Sequence, residues 1–160
     1  MTLLASFTHP VADSQRAFRL ILKAMSEPGV VVSLPRLSAW ENASPAASAV
    51  LMTLVDRDTP LYFNTLSVID TLSESLRLHR NAPGKTATVI VEVAALNGGL
   101  TLRLSGPDLM EKRAVAPRLP ESVLRYLRDD ESYLRQNVDL IFTCEDRMMA
   151  LPRTTQVQVC

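Results

Sequence analysis

The sequence predicts an α/β fold in a single domain spanning residues 1–160, and three observations carry that reading. Apolar residues at helical spacing run into a Pro-Gly stop and then a second apolar run, over residues 18–32. Period-two alternation marks strands within residues 88–93, 100–105 and 138–144. Capped helical patterns fall between these strand patterns, the interleaving that packs helices around a mixed sheet.

In the first helix, Phe18, Ile21, Leu22 and Met25 follow the i, i+3, i+4, i+7 rule and form an apolar stripe, with Asp13 or Ser14 as the N-cap. Pro28 disfavours helical backbone at Glu27, Gly29 accepts positive φ, and residues 30–32 resume as an apolar strand. Asn42 or Ser44, followed by Pro45, caps a second helix that ends near Val55 and turns Ala47, Val50, Leu51, Leu54 and Val55 inward. Residues 61–63 make a short strand. Ser67 with Asp70 then resembles a capping box for a helix whose buried face is Val68, Ile69, Leu72 and Leu76, with Arg77, His79 and Arg80 at its negative end.

Val89, Val91 and Val93 alternate with Thr88, Ile90 and Glu92, Asn97-Gly98-Gly99 supplies turn residues, and Leu100, Leu102 and Leu104 alternate with Thr101, Arg103 and Ser105, which predicts a hairpin. Gly106-Pro107 stops that strand, and Pro120 opens a helix with Val123, Leu124 and Leu127 inward. Val138, Leu140, Phe142 and Cys144 alternate, Glu145-Asp146-Arg147 turns the chain, and residues 148–151 return antiparallel.

Composition narrows the function. Hydrophobic residues make up 47% and charged residues 21%, an ordinary globular balance. A formal net charge of zero argues against phosphate-backbone binding to nucleic acid as the main task. Two cysteines, Cys144 in a strand pattern and Cys160, make no disulfide framework and fit a reducing compartment. No window approaches the roughly 18 continuous apolar residues of a membrane span, so a soluble cytoplasmic protein is expected, without a membrane partner.

Recognisable chemistry is sparse. His9 and His79 stand apart, with no second ligand at zinc-site spacing, and no glycine-rich phosphate loop is present. Cys144 alternates with core residues and reads as packing, and none of the three lysines, Lys23, Lys85 and Lys112, carries a Schiff-base signature. No catalytic residue, metal ligand or cofactor is assigned. Arginine outnumbers lysine fourteen to three, which either gene base composition or planar contacts at interfaces explains. Arg153 leaves a strand between Pro152 and two threonines: with Thr154 and Thr155 it holds an anion or a partner's carbonyls, or else it satisfies loop carbonyls of its own domain. Arg19 and Ser26, polar beside the first helix's stripe, are the other candidates for contacts beyond the domain.

Five segments in order resemble the PhnH family, whose members are subunits of the bacterial carbon-phosphorus lyase core complex. They are FRLILKAMSEPG (18–29), LMTLVDRDTP (51–60), LHRNAP (78–83), LRLSGP (102–107) and LPRTT (151–155) followed by Val157 and Val159. The resemblance implies an α/β/α sandwich distantly similar to the pyridoxal-phosphate transferase fold. It also implies a structural or site-completing subunit that, with the other core subunits, supports transfer of ribose triphosphate from ATP to methylphosphonate. Self-association belongs to the same expectation. Two junctions, 83–84 and 137–138, are shorter than the family's pattern, either through loop shortening or because residues are lost there. The competing readings are a diverged enzyme of the pyridoxal-phosphate fold and a small phosphonate-binding module built on Arg153.

Overall fold

A computed structural model describes residues 6–7, 10–35, 37–38, 44–54, 61–64, 87–107, 109–128 and 138–160. Its elements are β1 (Ser6–Phe7), α1 (Pro10–Ser26), β2 (Val32–Ser33), β3 (Leu37–Ser38), α2 (Pro45–Leu54), β4 (Leu61–Asn64) and β5 (Ala87–Glu92). They continue as β6 (Leu102–Ser105), β7 (Arg113–Val115), α3 (Glu121–Arg128), β8 (Val138–Cys144), β9 (Arg147–Leu151) and β10 (Gln156–Val159).

A five-stranded mixed sheet in the order β2-β9-β8-β5-β4 organises the fold. β4, β5 and β8 run parallel; β9 is antiparallel to β8, and the edge strand β2, antiparallel to β9, runs in the direction of the parallel three. β5, β8 and β9 are apolar on both faces: Val89, Val91, Leu140, Phe142, Met149 and Leu151 face one core, and Ile90, Ile141, Met148 and Ala150 face the other. A strand covered on both sides needs such continuous hydrophobicity. α1 and α2 cover the second core, where Ala17, Ala24, Ala46, Ala47 and Ala49 are fully buried. These small side chains let the helix backbones approach the sheet closely. Over the first core lie α3 and a three-stranded antiparallel sheet in the order β10-β6-β7.

The structure agrees with several expectations. Pro45 opens α2 and Ser44 caps it, its Oγ accepting the Ala47 N–H at 3.1 Å. Leu61–Asn64 is a strand, and Val123, Leu124 and Leu127 are buried in the helix after Pro120, joined by Tyr126. β8 and β9 form the expected hairpin across Glu145 and Asp146, with Glu145 in the left-handed region at φ 54°. The helix expected over residues 67–80, the expected end of α2 at Val55, and both junctions at 83–84 and 137–138 involve positions outside the described residues.

Other expectations require correction. α1 begins at Pro10, a first-turn position where a missing N–H costs nothing, so Asp13 and Ser14 lie inside the helix instead of capping it. Its buried face is Ala17, Ile21 and Ala24; Phe18 and Leu22 are 48% and 51% exposed, and Met25 is half-buried. The alanines carried no hydrophobic weight in the pattern, yet they occupy the closest approach. The strand after Gly29 is only Val32–Ser33, because Val30 N–H still closes the turn onto Glu27 O at 3.1 Å. The predicted hairpin at 88–105 does not form: β5 sits between β4 and β8 in the large sheet, and β6 pairs β7 and β10 in the small one. Asn97-Gly98-Gly99 turns the chain from one sheet to the other. Gly99 N–H donates to Ala116 O at 2.8 Å, and a Cβ on Gly99 would lie 2.3 Å from Pro117 O, so the loop is pressed against residues 116–118.

Candidate functional site

The turn at residues 152–155 joins the two sheets. β9 ends at Leu151, and Thr155 N–H donates to Pro152 O at 2.8 Å, closing a tight turn. Arg153 N–H donates to Asp139 Oδ1 on β8 at 2.7 Å. The backbone therefore fastens the turn and leaves the Arg153 side chain exposed, as is Thr154. Thr155 is buried: its side chain is 3% exposed, and its Oγ1 has no hydrogen-bond partner among the described residues. Arg153 and Thr154 are the side chains that this turn exposes.

Arg19 and Ser26 sit elsewhere, on α1, which covers the opposite face of the large sheet from β6, β7 and β10. Both are exposed, and Ser26 Oγ donates to Lys23 O at 3.1 Å. They share that surface with exposed Val11, Phe18 and Leu22. The structure thus does not bring the two sets of candidates together. Cys144 is half-buried with Sγ 3.7 Å from Ala94 O, packed at the margin of the first core. Among the described residues no group of three His, Cys, Asp or Glu converges; His9, His79 and Lys85 lie outside those residues.

Immediately after the turn, β10 pairs with β6, placing Gln156 opposite Ser105 and Gln158 opposite Arg103. β7 completes the sheet with Ala114 opposite Arg103. Leu102 and Leu104 face the core, so Arg103 and Ser105 face outward by strand alternation. An open cleft of about 430 Å³ lies over this outer face, lined by Arg103, Ser105, Lys112, Gln156 and Gln158, with Leu104 and Val157 also contributing. Sequence reading missed it. The alternating polar residues of β6 and β10 were visible, but nothing local says that strands about fifty residues apart pair.

The family model for bacterial phosphonate metabolism protein (PhnH) matches residues 5–85 and 79–158. The chain belongs to the PhnH family. It is similar to the alpha-D-ribose 1-methylphosphonate 5-triphosphate synthase subunit PhnH of Rhizobium meliloti (strain 1021), with 24% identity over 188 residues covering 96% of this chain and 94% of that protein. Three of the five segments that resemble PhnH meet in the structure. A Cβ on Gly29 would lie 2.7 Å from Leu104 Cδ1, and one on Gly106 would lie 2.9 Å from Thr154 O. The PhnH-like segments 18–29, 102–107 and 151–155 therefore pack on one another around the small sheet, whose outer face carries the cleft.

Proposed function

We propose that this chain is a subunit of the carbon-phosphorus lyase core complex, acting with its partner subunits in transfer of ribose triphosphate from ATP to methylphosphonate. The relative named as a subunit of the ribose 1-methylphosphonate 5-triphosphate synthase aligns over 96% of the chain, and that observation carries the reading. The chain's own role is structural or site-completing, in the cytoplasm. Exposed Val11, Phe18 and Leu22 beside Arg19 and Ser26 on α1 support contacts with another chain, self-association included. Helices on both faces of the mixed sheet support a variant of the α/β/α sandwich, distantly similar to the pyridoxal-phosphate transferase fold.

Affinity capture of the tagged chain from cells grown on a phosphonate tests this function. The other core subunits should co-purify, and synthase activity should reside in the complex; a chain recovered alone would sink the proposal. In the same assay Arg153→Ala should reduce recovery of partners several-fold while the protein stays folded. Its exposed side chain predicts a stability change within about 0.5 kcal/mol, and the N–H that binds Asp139 is retained. A variant that unfolds, or one that assembles normally, would remove Arg153 from the contact surface.

We also propose that residues 83–84 mark a shortened or interrupted loop. Support comes from the two family matches, which overlap at residues 79–85, and from an alignment 188 residues long against a chain of 160. A tryptic peptide with the mass of Asn-Ala-Pro-Gly-Lys, residues 81–85, would establish a direct junction, and its absence from a complete map would establish lost residues.

A further inference from the structure

We propose that the outer face of the three-stranded sheet binds a small molecule bearing linked phosphates, through Arg103 and Lys112 with Ser105, Gln156 and Gln158. The strand register builds the site. Gln158, Arg103 and Ala114 form one cross-strand row, and Gln156 and Ser105 form the next, with Lys112 directly preceding β7. Alanine beside Arg103 leaves room over the middle of the sheet. Ser105 Oγ lies 3.5 Å from Gln156 Oε1, a long contact that keeps both side chains over the cleft.

Arg103 and Lys112 place two basic side chains on this one face. The whole sequence is neutral, with 17 basic and 17 acidic residues, and three cations elsewhere are paired with carboxylates: Lys23 with Glu27 at 3.2 Å, and Arg125 and Arg128 with Glu121 at 3.7 and 3.5 Å. A cation on an exposed sheet face is commonly balanced by a cross-strand carboxylate. Among the described residues no carboxylate lines the cleft, and neither Arg103 nor Lys112 has a side-chain partner. Arginine offers a planar fork of donors, lysine a compact charge, and the glutamine amides and the serine hydroxyl add neutral donors. Two cations at separate points of a cleft of about 430 Å³ suit an anion with charges spread along its length better than a single phosphate. This proposal does not rest on the subunit role, since the isolated chain carries every residue it uses.

Calorimetric titration of the full chain with sodium tripolyphosphate at low salt tests it. One saturable site is expected, weakened at least tenfold by the Arg103→Ala/Lys112→Ala double variant and unchanged by Arg125→Ala/Arg128→Ala. Amide shifts on binding should centre on Ser105 and Gln156. Competition by ATP would identify a nucleotide's phosphate tail as the ligand, whereas ATP that fails to compete would identify an inorganic oligophosphate; methylphosphonate alone should bind weakly. No saturable binding would overturn the proposal. So would equal loss in both double variants, which would mean diffuse charge attraction, or displacement only by polyglutamate, which would mean a docking face for an acidic protein segment. Circular dichroism confirms that each variant is folded, and failure to co-purify with partner subunits leaves this result unaffected.

Discussion

Ile21 and Phe18 stand three positions apart on one helix and have opposite fates, Ile21 at 1% exposure and Phe18 at 48%. Size alone would have put the aromatic inside. The core beneath α1 is instead built from alanines around a few branched side chains, and a phenyl ring at the closest approach would hold the helix away from β9. Ile21→Ala should therefore cost about 2–5 kcal/mol through lost burial and a residual cavity, read as a lowered denaturation midpoint. Phe18→Ser should leave the isolated chain's stability within about 1 kcal/mol. A larger loss at Phe18 than at Ile21 would reverse the orientation of the helix. If the α1 surface meets another chain, Phe18→Ser should act on assembly instead.

Elements with complete local punctuation were legible in the sequence, and elements defined by distant pairing were not. α2 announced itself through Ser44 and Pro45, α3 through Pro120, and the β8–β9 hairpin through alternation around Glu145-Asp146, because cap, stop and turn chemistry act within a few residues. The 88–105 region misled for the same reason: a glycine-rich turn between two alternating runs is a sound hairpin signal, but β5 gains two parallel neighbours inside the large sheet instead. β7 is three residues long and pairs only through β6, so no local pattern exposed it. The candidate site shares this limit. Arg153 could be singled out by its neighbours, whereas the cleft depends on the register of β10 against β6. At this scale the cap of α2 is testable: Ser44→Ala removes the acceptor for Ala47 N–H and should cost about 0.5–2 kcal/mol, and Ser44→Gly only a few tenths. Equal losses in the two variants would shift the capping role to Glu92, which accepts the Ser44 N–H, and Glu145, whose carbonyl accepts that of Ala46.

The described residues form two apolar cores divided by one sheet, with the candidate partner residues of α1 beyond one core and the 152–155 turn and cleft beyond the other. A chain arranged in this way can meet different neighbours on its two sides, which is why loss of Arg153 and loss of Phe18 should be separable in a capture experiment. The connection between the sides lies at the turn after α1. Gly29, at φ 84°, donates its N–H to Ala150 O at 3.1 Å, and Pro28 O accepts Arg113 Nη1 at 2.9 Å, so one turn is tied both to β9 and to β7. In hydrogen-exchange terms the last turn of α1 and the β6–β7 pair should open as one cooperative unit although they lie on opposite layers. Gly29→Ala, disfavoured by about 1–2 kcal/mol in left-handed backbone and further by a Cβ 2.7 Å from Leu104 Cδ1, should then speed amide exchange in both segments together while sparing the β5–β8 pair. Exchange that rises in α1 alone would show that the turn only touches the small sheet, without coupling its stability to the helix.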